Sequence, residues 1–289
     1  MPALGIDIGG SSVKACLLDA GAPRTSQSPP YTNPDRPRLI TAIRSAIENL
    51  GPMEPIIAVG LCLPGRHNAG GDAIEVSVNL PCLNGWLFSE LIGDALGYTP
   101  EQHCVVSDAY AAAHDWICGH GGRGRLAAVA IGTGVGLCVL DDGRPVGIGQ
   151  RGIGHLGMTD VGRLGTHDTI GPDGASNTLE SYIGLGALRR RFGDGRHEAI
   201  AERIAKLSIE DPFMLAIVRG LRIVHAIYTP DTVVMMGGVG ITLRGRSQEL
   251  YEAVSASLTT LARPGWRLEF GDSLHHAASG AARLTSVES

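Results

Sequence analysis

Near its start the chain reads Leu4-Gly5-Ile6-Asp7-Ile8-Gly9-Gly10-Ser11-Ser12-Val13-Lys14, and no other stretch constrains the fold as tightly. A short apolar run delivers an acid, then two glycines, two hydroxyls and a lysine. Consecutive glycines let the backbone turn tightly and approach a bound group with no Cβ in the way. The N–H groups of such a turn, with Ser11 and Ser12, can cradle phosphate oxygens. Asp7, at the end of the first strand, can hold a divalent cation through water, and Lys14 can supply a point charge. Apolar residues resume at Val13, Ala15, Cys16, Leu17 and Leu18, so the turn joins two strands of a hairpin, 3–8 and 12–18. It is not a Walker loop, because no G-x-x-x-x-G-K-[ST] occurs and no helix follows the glycines. The competing reading is an ordinary glycine-rich hairpin.

The chain has 289 residues, enough for two domains or one large one. Aromatics are only 4% while glycine numbers 41, so the core leans on Ala, Val, Leu and Ile with many tight turns. A formal charge of −5 argues against a nucleic-acid surface. The basic run Arg189-Arg190-Arg191 reads as the solvated end of a helix. The start lacks the basic-then-apolar pattern of a signal peptide, and no apolar run is long enough for a bilayer span. The cysteines at 16, 62, 82, 104, 118 and 138 show neither Cys-x-x-Cys spacing nor a secreted disulfide framework. The expectation is a cytoplasmic protein with reduced thiols and no membrane or nucleic-acid partner.

Prolines exclude a helix over 21–37, leaving strand and loop. Apolar spacing predicts helices over 39–50, 88–96, 109–116, 179–192, 198–205, 212–228, 248–261 and 277–284. Strands are expected at 56–63, 105–106, 126–131, 137–140, 232–236 and 267–270, with an extended stretch at 74–80 and a turn-rich segment over 150–178. The strand ending at Ile131 runs into Gly132-Thr133-Gly134-Val135-Gly136 and a second strand. This repeats the logic of the opening hairpin and suggests a duplicated fold.

Together, Asp7-Ile8-Gly9-Gly10-Ser11 with Lys14, Leu63-Pro64-Gly65, Asn79-Leu80-Pro81, Gly85-Trp86, Ser107-Asp108-Ala109, Gly132-Thr133-Gly134-Val135-Gly136, Leu179-Glu180, Gly237-Gly238 and Ala278-Ser279-Gly280-Ala281-Ala282 resemble the ROK family of sugar kinases, in this order and over nearly the whole chain. The resemblance implies an α/β, two-domain actin-like ATPase (ribonuclease H-like) fold with a central cleft. The first domain would span 1–115 plus 276–289 and the second 116–275. It implies an ATP-dependent kinase that phosphorylates the C6 hydroxyl of a hexose, glucose by default. ATP and Mg²⁺ would be bound, and the family's usual homodimer formed. The family's transcriptional repressors carry an extra N-terminal helix-turn-helix, for which the residues before Leu4 leave no room.

By the same resemblance the turns Gly9-Gly10-Ser11 and Gly132-Thr133-Gly134 face each other across the cleft and clamp the ATP phosphates, with Lys14. Thr133 offers a hydroxyl to the phosphate chain, Gly237-Gly238 let the backbone pass close to the adenosine, and Asp7 holds Mg²⁺ through water. Gly65, Asn79, Ser107, Asp108, His155 and Glu180 line the sugar site. Asp108, at a strand-to-helix junction where side chains point into clefts of α/β folds, is the catalytic base. Competing readings stay open: a helix N-cap for Ser107 or Asp108, a strand-end turn for Gly237-Gly238, and a structural turn histidine for His155.

Three departures from the family pattern matter. Ser107 stands where an Asn usually precedes the catalytic Asp. Gly154-His155-Leu156-Gly157-Met158 stands where Gly-Glu-x-Gly-His is usual. Aligned without gaps, His155 replaces the glutamate and Met158 the histidine; a shifted alignment loses the glutamate to Gly152. One edge of the sugar site, toward C1/C2, is therefore altered. Losing one charge-assisted hydrogen bond there costs about 1.5–3 kcal/mol, so the preferred sugar can differ from glucose at that end. Finally, 165–178 contains no cysteine where many members hold a structural zinc, and no zinc site is expected. The alternatives to a glucokinase are a kinase for another hexose or hexose derivative altered at C1/C2, and a sugar-binding protein that has lost catalysis. A polymerising or chaperone-like ATPase of the same superfamily fits the Asn79, Asp108 and Glu180 set less well.

Overall fold

A computed structural model describes residues 2–19, 21–147, 153–193, 197–260, 262 and 265–286. Gly152 and the last residues of the expected first domain, 287–289, lie outside them. Contacts divide the chain into two compact units, Met1–Gly119 with His275–Ser289, and His120–Leu274. In chain order the first unit contains β1 (Ala3–Ile8), β2 (Val13–Leu18), β3 (Arg24–Gln27), α1 (Arg36–Glu48), β4 (Ala58–Cys62), β5 (Arg66–His67), β6 (Ile74–Val76), α2 (Phe88–Leu96), β7 (Gln102–Val106) and α3 (Asp108–His120). The second contains β8 (Arg125–Ile131), β9 (Val135–Asp141), β10 (Arg144–Pro145), α4 (Leu179–Ile183), α5 (Leu185–Phe192), α6 (His197–Ala205), α7 (Pro212–Tyr228), β11 (Thr232–Met236), α8 (Gly237–Thr242), α9 (Ser247–Ser257) and β12 (Arg267–Phe270). The chain then returns to the first unit as α10 (His276–Ser286).

The two main sheets repeat one plan. The first runs β3-β2-β1-β4-β7 and the second β10-β9-β8-β11-β12. In each, a hairpin supplies the antiparallel half and later strands add in parallel. The duplication suggested by the two glycine-hydroxyl turns is thus a duplication of sheet order.

In the first unit the strands sort side chains by size. Alternate residues of a strand face opposite sides. Leu4, Ile6 and Ile8 of β1, with Val59 and Leu61 of β4, join an aliphatic core with Leu39 and Ile43 of α1 and Leu91 and Ile92 of α2. The opposite face carries Ala3, Gly5, Ala58, Gly60 and Cys62, and there α10 lies directly on the sheet. A Cβ on Gly5 would overlap the Ala278 carbonyl oxygen, and one on Gly60 the Ala281 carbonyl oxygen. Gly280 brings α10 equally close to the Ala111 carbonyl of α3. The Ala278–Ala282 run is therefore a packing seam. Asp115 of α3 fixes its register by meeting Nδ1 of His276 and Nε of Arg283, each at 2.7 Å.

Several boundaries differ from expectation for local reasons. The helix expected from Leu39 begins at Arg36, because Asp35 caps it through Arg38 N–H (2.9 Å) and Pro37 falls in the first turn, where a missing N–H costs nothing. The helix expected over 179–192 breaks at Gly184, which turns out to extended geometry (ψ 151) between α4 and α5. The stretch at 74–80 is a strand only to Val76. The glycines after β11 open a short helix, α8, instead of a simple turn. The helix expected over 248–261 ends at Ser257. Among the described residues no helix is long and apolar enough to cross a membrane.

Candidate active site

In the first unit the carboxyl ends of the parallel strands align. Asp7 of β1 pairs in register with Cys62 of β4, and Cys62 with Val106 of β7. Neighbouring strands lie about 4.8 Å apart, so Asp7 and the Ser107-Asp108 corner just past Val106 lie on one rim of the sheet, where α/β folds collect functional groups. Across the hairpin Asp7 faces Lys14, and Lys14 Nζ lies 3.3 Å from Asp7 Oδ2 with both side chains largely buried.

The corner separates capping from chemistry. Ser107 Oγ accepts from Tyr110 N–H (3.3 Å), which makes Ser107 the cap of α3. Asp108 Oδ1 accepts from Ala109 N–H (2.7 Å), and the residue stays open to solvent. Crowding by the surrounding protein, then the charge of Asp7, raises the Asp108 carboxyl above the usual carboxylate range, against the pull of the Ala109 N–H and Lys14. Asp7 and Lys14 both act electrostatically on Asp108, so two carboxylates stand against one lysine and a negative charge is left over. Hard carboxylate oxygens with a charge to spare are the donor chemistry that suits Mg²⁺.

The Gly9–Ser12 turn closes through Gly9 N–H to the Ser12 carbonyl (3.0 Å). Its two hydroxyls are not equivalent. Ser12 is buried and its Oγ accepts from Gln27 Nε2 (2.9 Å), so the expectation that both serines offer hydroxyls to a ligand narrows to Ser11. Gly10 and Ser11 are half-buried on the same turn.

Gly65 follows β4 with φ +125, and a Cβ there would meet the Val76 carbonyl oxygen at 2.6 Å, so only glycine fits. Asn79 sits in a turn held by Ser77 Oγ, which accepts from Leu80 N–H (3.2 Å). Ser77 N–H donates to Asn84 Oδ1 (2.7 Å). The Asn79 amide makes no hydrogen bond among the described residues, which leaves it available to a ligand. Asn84 was missed from the sequence; the Asn84-Gly85 pair, with Gly85 at φ +68, is the turn signal that marks it.

In the second unit, Gly132 N–H donates to the Gly134 carbonyl (2.9 Å) and the Gly132 carbonyl accepts from Leu185 N–H (2.9 Å). Glu180 Oε2 accepts from Val135 N–H (3.0 Å), tying α4 to the same turn. A Cβ on Gly157 would lie 2.8 Å from Glu180 Oε2, and one on Gly184 3.0 Å from the Thr133 carbonyl oxygen. Gly237, at φ +75, rests against the end of β8, where a Cβ would meet the Ile131 carbonyl oxygen at 2.5 Å. Gly132, Thr133, Gly134, Glu180 and Gly237 are therefore one cluster, with Gly238 in the first turn of α8. His155 is exposed at the start of a one-turn helix and Met158 is 50% exposed at its end.

Among the described residues no three His, Cys, Asp or Glu side chains converge as a metal centre requires. Hydrogen bonds organise the loop before α4. Tyr182 Oη accepts from Leu164 N–H (3.0 Å) and donates to Asn177 Oδ1 (3.1 Å). Asn177, at φ +56, also accepts from Thr169 N–H (3.2 Å), and Thr169 Oγ1 lies 2.6 Å from Ser181 Oγ.

The family model described as "ROK family" matches residues 3–282. No curated relative matches the sequence. The fold is similar to that of a ROK family glucokinase from Streptomyces griseus solved with glucose and AMPPNP, at 18% identity over 99% of both chains with a TM-score of 0.73. A ROK hexokinase from Thermus thermophilus is similar at 23% identity, over 100% of this chain and 99% of that one, with a TM-score of 0.67. A ROK family transcriptional regulator, a homologue of E. coli MLC, shares the fold at 16% identity over 98% of this chain and 78% of that one, with a TM-score of 0.65. The mixed α/β architecture is thus that of ROK proteins, with their actin-like ATPase fold.

Proposed function

The chain belongs to the ROK family, and we propose that it is a sugar kinase transferring the γ-phosphoryl group of ATP to the C6 hydroxyl of a hexose, with glucose the default acceptor. The observation that carries this reading is Asp108: free of the capping task, open to solvent, and beside the Asp7–Lys14 pair. Phosphoryl transfer asks a protein for positioning and charge stabilisation. Asp108 takes the proton of the acceptor hydroxyl as its oxygen bonds phosphorus and the bond to the departing ADP breaks. A carboxyl held above its usual range is a stronger base for that step. Mg²⁺, held through water by Asp7, neutralises phosphate charge when bound with ATP. Lys14 adds a point charge, and the turns at Gly9–Ser11 and Gly132–Gly134 offer N–H groups and the hydroxyls of Ser11 and Thr133 to the phosphates. Gly237 and Gly238 keep the backbone clear beside the adenosine. Asn79, His155 and Glu180 bind the sugar and Gly65 lines the same wall, while Ser107, whose Oγ accepts from Tyr110 N–H, has its hydroxyl proton left to donate. Such polar groups answer buried hydroxyls that would otherwise lack a partner.

The departures at His155 and Met158 support a preference that differs from glucose at C1/C2, because Met158 offers no hydrogen-bonding group of note. They also motivate the alternative of a binding protein that has lost catalysis, against which the retained Asp7, Lys14, Asp108 and both glycine-hydroxyl turns argue. A cytoplasmic location and a homodimer belong to the same reading. Coupled ADP release with Mg²⁺-ATP across hexoses, N-acetylhexosamines and polyols tests it. The proposal expects sugar-dependent ADP release with at least one of them and phosphate on the primary hydroxyl. Sugar binding without ADP release from any of them contradicts it and selects the binding protein.

A further inference from the structure

We propose that Tyr31 is a positioning residue for the first phosphate turn: it holds the carbonyls of Gly9 and Ser11 from behind and so aims the intervening N–H groups at the nucleotide's phosphates. This rests on the kinase reading above. The Tyr31 phenol donates to the Gly9 carbonyl, and Tyr31 N–H donates to the Ser11 carbonyl at 2.9 Å. In a trans peptide the C=O and the following N–H point to opposite sides. Fixing the Gly9 oxygen toward Tyr31 therefore turns Gly10 N–H away from it, and fixing the Ser11 oxygen does the same for Ser12 N–H. One residue thus takes up two acceptors of the turn and leaves a face of donors.

The strap that carries Tyr31 is built to bring it back. Ser28 N–H donates to the Val13 carbonyl (2.9 Å) and Val13 N–H to Ser28 Oγ (3.0 Å), which anchors the strap to the start of β2. Pro29 and Pro30 then restrict the backbone that delivers Tyr31. The ring packs against the aliphatic core of the first unit. Burial, and then the nearby Asp7 charge, push the phenol well above its usual range, so it stays a donor throughout any assay range.

Tyr31→Phe in the full chain keeps the ring and removes only the hydroxyl. Calorimetry with Mg²⁺-AMPPNP and, separately, with adenosine reads the result. The variant is expected to bind AMPPNP about three- to tenfold more weakly, the range of one hydrogen bond, with adenosine affinity and melting temperature close to wild type. A merely structural tyrosine would weaken both ligands together or neither, and either result overturns the proposal. Should the variant fail to fold, hydrogen exchange on the wild type decides: Mg²⁺-AMPPNP must slow exchange in the 8–13 segment, and unchanged exchange there overturns it. A wild-type chain that binds neither ligand sinks the kinase reading itself.

Discussion

Glu180 meets two demands at once. The resemblance makes it a sugar ligand, while in the structure its Oε2 also holds Val135 N–H, the first donor after the Gly132–Gly134 turn. The second role predicts an effect on a ligand that Glu180 does not touch. Without any sugar present, Glu180→Ala is expected to weaken Mg²⁺-AMPPNP binding about three- to tenfold, and Glu180→Gln, which keeps an acceptor, to restore most of it; an alanine variant with wild-type nucleotide affinity refutes the coupling. His225 of α7 poses a different problem. It is 0% exposed, stacks edge-on against Trp266 at 4.5 Å, and neither ring nitrogen has a hydrogen-bond partner among the described residues. Burial pushes its pKa down to about 4. The unfolded chain, with a histidine near ~6.5, binds the proton first. Stability is therefore full above the unfolded value and falls as pH drops toward the folded one, by about 1.4 kcal/mol per unit. Thermal melts between pH 7 and 4.5 should show His225→Phe more stable than wild type and less pH-dependent; an unchanged pH slope counts against this assignment. The residue types are legible in the sequence, but their division of labour is not. Ser11 and Ser12 are adjacent and alike on the page, and the distant partner Gln27 tells them apart; Ser107 and Asp108 are told apart by which one accepts from Tyr110 N–H in the first turn of α3.

Among the elements, α10 depends on backbone contact. Gly280 lies inside a helix, where glycine costs about 1 kcal/mol against alanine, yet its position leaves no space for a Cβ against the Ala111 carbonyl. Gly280→Ala should thus destabilise the chain by about 1–3 kcal/mol in urea despite the better helix propensity. A neutral or stabilising result would show that α3 yields easily at that seam. Because α3 begins at Asp108, the same variant is expected to lower turnover as well. Regular elements were legible where one force dominated. The alternation of large and small residues in β1 and the apolar stripe of α7 needed no tertiary knowledge. The break at Gly184 was not legible, because its cause is the Gly132 carbonyl taking Leu185 N–H from another part of the chain. Tyr31 was hidden for the same reason. It lies in a proline-rich stretch without periodicity, and its partners Gly9 and Ser11 precede it across two strands.

At the scale of the molecule, two sheets of the same strand order each place a glycine-hydroxyl turn after the first strand of a hairpin. Sequence patterning exposed this because hairpin, glycine turn and apolar strand recur in order, while the hydrogen-bonded loop around Asn177 and Tyr182 carries no such period. In the proposed kinase, Asp108 is the base that this duplicated frame serves. Replacing it with Asn keeps the oxygen that accepts from Ala109 N–H and removes a carboxylate held above its usual range, so folding has no reason to suffer. The most direct measurement is sugar-dependent ADP release by Asp108→Asn beside its Mg²⁺-AMPPNP affinity. Turnover is expected to fall by about 10²–10⁴ with nucleotide affinity and melting temperature near wild type; turnover within a few-fold of wild type contradicts Asp108 as the base.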